Sequence, residues 1–242
     1  MLRSILLGAA TLAAVSLGSA AQATQFVTNG SFETTSLAAS YKMNTTNVTG
    51  WSTTGYNFLF FPGTATTTGA YVPEYKSQIT LWGGNGFPAS SPDGGNFIAA
   101  DGAFGTAPIT QTISGLTKGA KYNVSFDWAA AQQSGFSGVT TEQWQVSLGA
   151  ATHSTAVKTN PNHGFTGWFS AVFTYTATGS SEVLSFLAQG TPQGQPPFSL
   201  LDGVSMTAVP EPGSWTLLLL GLFAVGGTVW LRSRSAGLNF AE

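Results

Sequence analysis

The sequence has no cysteine and only two histidines, His153 and His163, among its 242 residues. Without cysteine the chain can form neither a disulfide nor a thiol nucleophile nor a cysteine-ligated zinc site. It also lacks a Gly-x-Ser-x-Gly elbow that would present a catalytic serine beside a histidine. The fold must therefore be held together by packing, by hydrogen bonds, or by an ion bound through oxygen atoms.

Charged residues are also scarce. They make up 7% of the chain, with 8 basic residues against 10 acidic ones. Nucleic-acid binding needs clustered Lys and Arg to neutralise phosphates, so nucleic acid is not an expected partner. In contrast, the chain has 30 glycines and 43% apolar residues. This composition is typical of short strands joined by tight turns around one sandwich-sized core.

The N-terminal residues 1–23 have the pattern of an export signal. Arg3 is followed by an apolar run over 5–17 and by small residues that end at Ala21-Gln22-Ala23. A basic start, a short apolar stretch and a small-x-small site are the features that the export translocon and signal peptidase recognise. We therefore predict a signal peptide that is cleaved after Ala23.

The C-terminal residues 209–242 form a second targeting pattern. A proline-containing motif over 209–213 precedes an apolar stretch over 214–231, and a basic end over 232–242 begins with Arg232 and Arg234. The stretch would span roughly 25 Å as a helix, enough for a thin hydrocarbon core. The arginines would stay on the cytoplasmic side. We therefore predict a transmembrane helix that halts export.

The order of these tail features resembles the PEP-CTERM sorting signal of Gram-negative exoproteins. The resemblance rests on Val209, Pro210, Glu211 and Pro212, followed by the apolar helix and the arginines. It implies that an exosortase, a membrane transpeptidase, cuts near the motif. The protein would first be tethered to the inner membrane and then reach the cell surface or the extracellular matrix.

The region between these ends, residues 24–208, contains short stretches in which hydrophobicity has a period of two residues. In 122–128 and 144–148, apolar side chains alternate with polar ones, which predicts half-buried strands. Residues 168–175 and 183–188 are apolar on both faces, as interior strands can be. Further strands are expected near residue 26 and over 48–52, 58–61, 79–82, 96–100, 109–113 and 201–207. About ten strands without an amphipathic helix predict an all-β, antiparallel β-sandwich.

Three parts of this region resemble jelly-roll, galactose-binding-like carbohydrate-binding modules. They are 27–33 with Gly50-Trp51, then 109–116 leading into 122–128, and finally 201–205. The resemblance implies a jelly roll with a structural calcium held by Glu33 and Asp202. Calcium prefers carboxylate and carbonyl oxygens, which this chain can supply. Such modules often end in two adjacent acids, whereas Gly203 takes the second place here.

A Gly- and Asn-rich segment over 82–102 is a second conceivable calcium or ligand loop. Its glycines and asparagines are also the residues that tight turns require. Both interpretations remain open from the sequence.

Aromatic residues offer flat faces on which sugar rings can stack. Because Gly-rich loops flank them, Tyr56, Trp82, Phe136 and Phe165 are the candidates best placed for exposure. Trp128 is predicted to lie in the core, since it shares a strand face with apolar neighbours. The wider pool also contains Trp51, Trp144 and Trp168.

These observations favour a non-enzymatic surface or matrix protein that binds extracellular polysaccharide or associates with copies of itself. One alternative is a carbohydrate-active hydrolase, which would need two carboxylates about 5 to 9.5 Å apart. The conceivable pairs are Asp93 with Asp101 and Asp127 with Glu142. The other alternative is a purely structural coat protein without a ligand.

Overall fold

A computed structural model of the chain describes residues 24–84, 86–87 and 90–210. These residues form thirteen β-strands, and no helix occurs among them. Accordingly, the described residues hold no helix long and apolar enough to cross a bilayer. The predicted signal peptide, the transmembrane helix over 214–231 and the basic end lie outside the described residues. The predicted all-β class is confirmed for the region between them.

The strands form two sheets. The strands are β1 (Tyr41–Lys42), β2 (Asn57–Phe60), β3 (Ala70–Val72), β4 (Ser77–Ile79), β5 (Phe97–Asp101), β6 (Ile109–Ser114), β7 (Lys121–Gln132), β8 (Thr140–Leu148), β9 (Ala151–Ser154), β10 (Lys158–Asn160), β11 (Phe169–Thr176), β12 (Ser181–Thr191) and β13 (Pro197–Ala208). The larger sheet has the order β11-β7-β13-β5-β2-β1-β3-β4, and the smaller has the order β10-β8-β12-β6, with β9 also paired to β8. All pairings are antiparallel except that of β1 with β3.

A first core lies between the two sheets. Phe186 is central to it, with the rings of Trp51, Phe126 and Trp144 at centroid distances of 6.2, 5.1 and 6.0 Å. All three approach Phe186 edge-on, which is a favourable arrangement for aromatic pairs. Trp128 belongs to the same cluster and is only 3% exposed, so its predicted core position is confirmed.

A second core covers the outer face of the larger sheet. Phe58 and Phe60 of β2 point to this face, whereas Leu59 between them points to the first core. The covering residues come from segments outside the central strands, including Ala65, Leu81 and Phe165. Both faces of β2 and β5 are therefore buried, and neither strand alternates between apolar and polar residues.

The predicted strands agree with the structure where alternation is strong, as in β7 and β8. Residues 48–52 form only isolated bridges. Strands over 168–175 and 183–188 are present, but their second faces meet solvent: Val172 is 59% exposed and Val183 is 46% exposed. An interior position for both faces was therefore a wrong expectation. The strands β1, β3, β9 and β10 were not predicted, because each has only two to four residues.

Polar side chains are buried at one end of the first core. Thr140, Glu142 and Asn160 are all 0% exposed. The Thr140 hydroxyl donates to Glu142 Oε1, while Glu142 Oε2 and Asn160 Oδ1 have no hydrogen-bond partner. Burial raises the pKa of the Glu142 carboxyl to about 8, although the Thr140 hydrogen bond opposes this shift. Glu142 is therefore mainly protonated in the folded chain at neutral pH.

This burial predicts a stability that depends on pH. Because the folded pKa of Glu142 lies above its usual value of 4.5, the folded state holds more protons between about pH 4.5 and 8, and stability falls as pH rises through this window. We expect a Glu142→Gln variant to lose less stability between pH 5 and pH 8 than the wild type does. At pH 8 the Tm of the variant should exceed that of the wild type. The expected difference is roughly 2–4 °C for each kcal/mol of stability that the wild type loses by burying the Glu142 carboxylate.

Thermal unfolding followed by circular dichroism at several pH values measures this difference. Asp101 and Asp202 also have raised pKa values, so the informative quantity is the change of slope between variant and wild type. Equal slopes in the two proteins would contradict the assigned role of Glu142.

Candidate functional site

A cleft opens at one rim of the larger sheet, where β5 ends and β13 begins. Its volume is about 380 Å³, within the usual range of small-molecule sites. Loops that follow β5 and β7 and precede β13 form its walls. The lining residues are Tyr56, Tyr75, Asp101, Ala103, Phe104, Gln133, Phe136, Gln193, Gly194 and Pro196.

The cleft gathers the exposed aromatic side chains of the domain. Among the residues that the structure describes, the three most exposed aromatic side chains are Tyr75 at 59%, Phe104 at 48% and Phe136 at 36%, and all three line this cleft. Tyr56 lies between two of them, with ring centroids 5.2 Å from Phe104 and 6.4 Å from Tyr75. Exposed apolar surface concentrated in one concave place is typical of a binding site.

A buried carboxylate lies among these rings. Asp101 is 1% exposed, and its Oδ1 accepts hydrogen bonds from the backbone N–H groups of Ala103 (2.8 Å) and Phe104 (3.0 Å). Its Oδ2 is buried without a hydrogen-bond partner. Burial raises the pKa of Asp101 to about 6, and the two N–H donors oppose this rise. The cleft thus holds an acceptor that lacks a donor.

Tyr56 shares this environment. Burial, followed by the neighbouring Tyr75 and Asp101, raises the pKa of the Tyr56 phenol to about 12. The phenol therefore stays protonated and can both donate and accept hydrogen bonds in the cleft.

Two residues that do not line the cleft, Trp82 and His163, hold the loop that carries Phe136. The Trp82 indole N–H donates to the Phe136 carbonyl at 2.9 Å, and the Trp82 ring lies 4.0 Å from that of His163. The His163 Nε2 atom shares a hydrogen bond of 2.9 Å with the Ser137 hydroxyl. Trp82 therefore positions Phe136 and does not itself line the cleft.

The four aromatic residues predicted as ligand contacts thus have different positions. Tyr56 and Phe136 line the cleft, and Trp82 supports it. Phe165 is only 5% exposed and lies in the second core, with its ring centroid 4.6 Å from that of Phe87. Its expected exposure is corrected: a neighbouring glycine does not expose a ring that other loops cover.

Sequence reasoning missed Tyr75, Phe104 and the glutamines of the cleft. Phe104 had a detectable signal, because it follows Asp101-Gly102-Ala103, and an Asp that caps the backbone two or three residues later marks a turn. Tyr75 lies in the short turn between β3 and β4, which was not predicted. No local pattern indicates that these two turns meet.

An acidic cluster lies elsewhere on the outer face of the larger sheet. Asp202 is 0% exposed, and its Oδ1 has no hydrogen-bond partner, while Oδ2 accepts from the Ser91 hydroxyl. Burial raises the pKa of Asp202 to about 8, the hydrogen bonds oppose this, and the negative charges of Asp93 and Glu33 raise it further. Glu33 and Asp202, which are far apart in sequence, therefore lie in one neighbourhood.

Close packing between the first and last segments forms this cluster. A bulge interrupts β13 between Asp202 and Ser205, where Gly203 has a φ of 58°. The Val204 N–H donates to the Gly30 carbonyl, and a Cβ on Gly30 would lie 1.8 Å from the Val204 carbonyl oxygen. Only glycine allows this approach.

The carboxylates do not form a ready-made metal site. Nowhere in 24–84, 86–87 and 90–210 do three Asp, Glu or His side chains converge so as to hold a metal ion. The unpartnered Oδ1 of Asp202 nevertheless fits an oxygen-seeking cation. Calcium also accepts backbone carbonyls and water as ligands, so such a site would have to draw on them.

The acid pairs considered for hydrolysis are separated. Glu142 points between the sheets with Trp144, whereas Asp127 alternates with core residues and points outward, where it accepts from Ser170. Asp93 packs beside Gly203, and Asp101 pairs with Phe198. Asp202, which precedes Gly203, is four positions from Phe198 along β13, about 13 Å in an extended strand. The two carboxylates of a glycosidase lie about 5 to 9.5 Å apart.

Several solved structures resemble this fold. No protein-family model and no curated protein matches the chain. TmCBM61 in complex with beta-1,4-galactotriose is 13% identical, with a TM-score of 0.42, covering 77% of this chain and 99% of that one. The CBM22-1 xylan-binding domain from Paenibacillus barcinonensis Xyn10C is 14% identical, with a TM-score of 0.35, covering 71% and 94%. At these values the similarity assigns neither a family nor a ligand to this chain.

Proposed function

We propose that the sandwich domain is a non-enzymatic carbohydrate-binding module and that the rim cleft is its binding site. The observation that carries this proposal is the meeting of three exposed aromatic rings with the unpartnered Oδ2 of Asp101 in one concave place. Sugar rings present C–H faces that pack on aromatic surfaces and hydroxyl groups that donate to carboxylates. Both requirements are met by the same cleft.

We further propose that the chain is exported and sorted at its two ends. The pattern over 1–23 supports recognition by the translocon and signal peptidase, and Pro210-Glu211-Pro212 with the following apolar and basic residues supports recognition by an exosortase. The Val209 N–H donates to the Lys121 carbonyl at 2.8 Å. The motif therefore begins directly after β13, which ends at Ala208.

The third proposal is that the acidic cluster binds a structural calcium ion through Glu33 and Asp202. It is supported by the buried, unpartnered Oδ1 of Asp202 and by the nearby negative charges of Glu33 and Asp93. Bound there, calcium would tie the N-terminal segment to β13 and compensate the buried negative charge.

The binding proposal predicts the effect of removing one ring. The wild-type chain should be retained on one or more neutral polysaccharides or on the exopolysaccharide of its producer. Phe136→Ala should weaken binding about tenfold or more, because truncating an aromatic residue at a binding hot spot costs about 2 kcal/mol or more, and about 1.4 kcal/mol corresponds to a factor of ten. Affinity gel electrophoresis across a glycan panel measures this loss.

Val139→Ala is the matched control, since Val139 is 56% exposed in the same loop but does not line the cleft. If no glycan retains the wild-type protein, the binding proposal is rejected. If that protein also self-associated, the result would favour a structural coat protein.

The calcium proposal predicts a metal-dependent stability. Millimolar calcium should raise the Tm of the wild type relative to excess EDTA, because a ligand that binds only the folded state stabilises it. Asp202→Asn should abolish the shift, whereas Glu142→Gln, another buried acid, should retain it. Equal Tm values with calcium and with EDTA in the wild type would refute the site.

The sorting proposal predicts the mass of the extracellular protein. Intact mass spectrometry should find a chain that begins at Thr24 and ends near residues 209–213. Replacing Pro210 and Pro212 with alanine should leave the C-terminal segment uncut and the protein in the membrane fraction. An extracellular form that extends to Glu242 would rule out this processing.

A further inference from the structure

The lining of the cleft carries a single charged side chain. Asp101 is the only carboxylate among its lining residues, and that lining contains no lysine, arginine or histidine. The side chain of Lys42 lies nearby, with its Nζ 5.7 Å from the centroid of the Tyr56 ring, but it is paired with Glu74. No unpaired positive charge therefore offsets Asp101 within the cleft.

The hydrogen-bonding state of Asp101 adds a second constraint. Its Oδ1 is already occupied by two backbone N–H groups, whereas Oδ2 accepts none. An ionised carboxylate can only accept, so a ligand group that approaches Asp101 from the cleft is favoured if it is a donor. A sugar hydroxyl provides such a donor, whereas the carboxylate of a uronic acid or a sulfate ester provides only acceptors and a like charge.

We propose that this cleft selects uncharged, hydroxyl-rich glycans and excludes uronic-acid and sulfated ones, with Asp101 as the specificity-determining residue. This inference rests on the proposed carbohydrate-binding function and assigns its ligand class. The partly enclosed position of Asp101 strengthens the discrimination, because charge repulsion is screened less where water is excluded.

The test compares a glycan with its own oxidised form. Three probes are compared. The first is the neutral glycan that best retains the wild type, the second is the same glycan with its C6 hydroxymethyl groups oxidised to carboxylates, and the third is the methyl ester of the oxidised form. Titrations use the full chain in a non-glycosidic detergent at pH 8, where Asp101, with a pKa of about 6, is ionised. The ester separates the effect of charge from that of altered shape at C6.

We expect the wild type to bind the neutral glycan at least tenfold more tightly than the oxidised form and to regain most of this loss with the ester. The Asp101→Asn variant keeps an oxygen for the Ala103 and Phe104 N–H groups but replaces Oδ2 with an amide donor. It should bind the neutral glycan more weakly and the oxidised form more tightly, so that their ratio approaches one. Glu142→Gln should preserve the wild-type ratio.

The outcomes separate the two proposals. Equal wild-type affinity for the neutral and oxidised glycans, or an ester as weak as the free acid, overturns the charge selection while carbohydrate binding stands. Wild type that binds none of the probes overturns both. The wild-type ratio and the ester result decide the charge selection even where Asp101→Asn does not fold. A folded Asp101→Asn variant that keeps the wild-type ratio overturns the role of Asp101.

Discussion

The central strands β2 and β5 of the larger sheet are packed on both faces, and this packing fixes the loops on which the candidate site depends. Leu59 and Ile98 face the first core, while Phe58 and Phe97 face the second. A second core can exist only if segments outside the sheet fold over it. Ala65, Leu81 and Phe165 come from such segments, while β3 and β4 add Ala70, Val72 and Ile79 from the edge of the same sheet. Tyr75, in the turn between β3 and β4, and Phe136 then line the cleft.

Three acidic residues, Asp101, Glu142 and Asp202, are at most 1% exposed, and each has a different environment. Glu142 lies at a polar end of the first core, Asp101 among the aromatic rings of the cleft, and Asp202 in the acidic cluster. All three retain one carboxylate oxygen without a hydrogen-bond partner. Such atoms are costly in a folded protein, and a bound proton removes part of this cost. A proton accounts for Glu142, and we propose ligands for the other two positions.

Much of the fold could be predicted because alternation reports directly on burial. Tyr122, Val124, Phe126 and Trp128 share one face of β7, as their spacing indicates. Short strands such as β1 and β10 escaped prediction, since two or three residues carry no measurable period. The outward faces of β11 and β12 were misjudged because valine tolerates solvent on a strand, so apolar character alone does not establish burial.

The sequence alone determined the all-β class, and it predicted the targeting signals at the two ends and the candidate acids Glu33 and Asp202, because each follows from composition, local order or resemblance. Only the tertiary structure decided which aromatic residues face a ligand. Phe136 and Phe165 both have glycine neighbours, yet one lines the cleft and the other is buried in the second core. Exposure depends on which distant loops cover a ring, and chain neighbours do not carry that information.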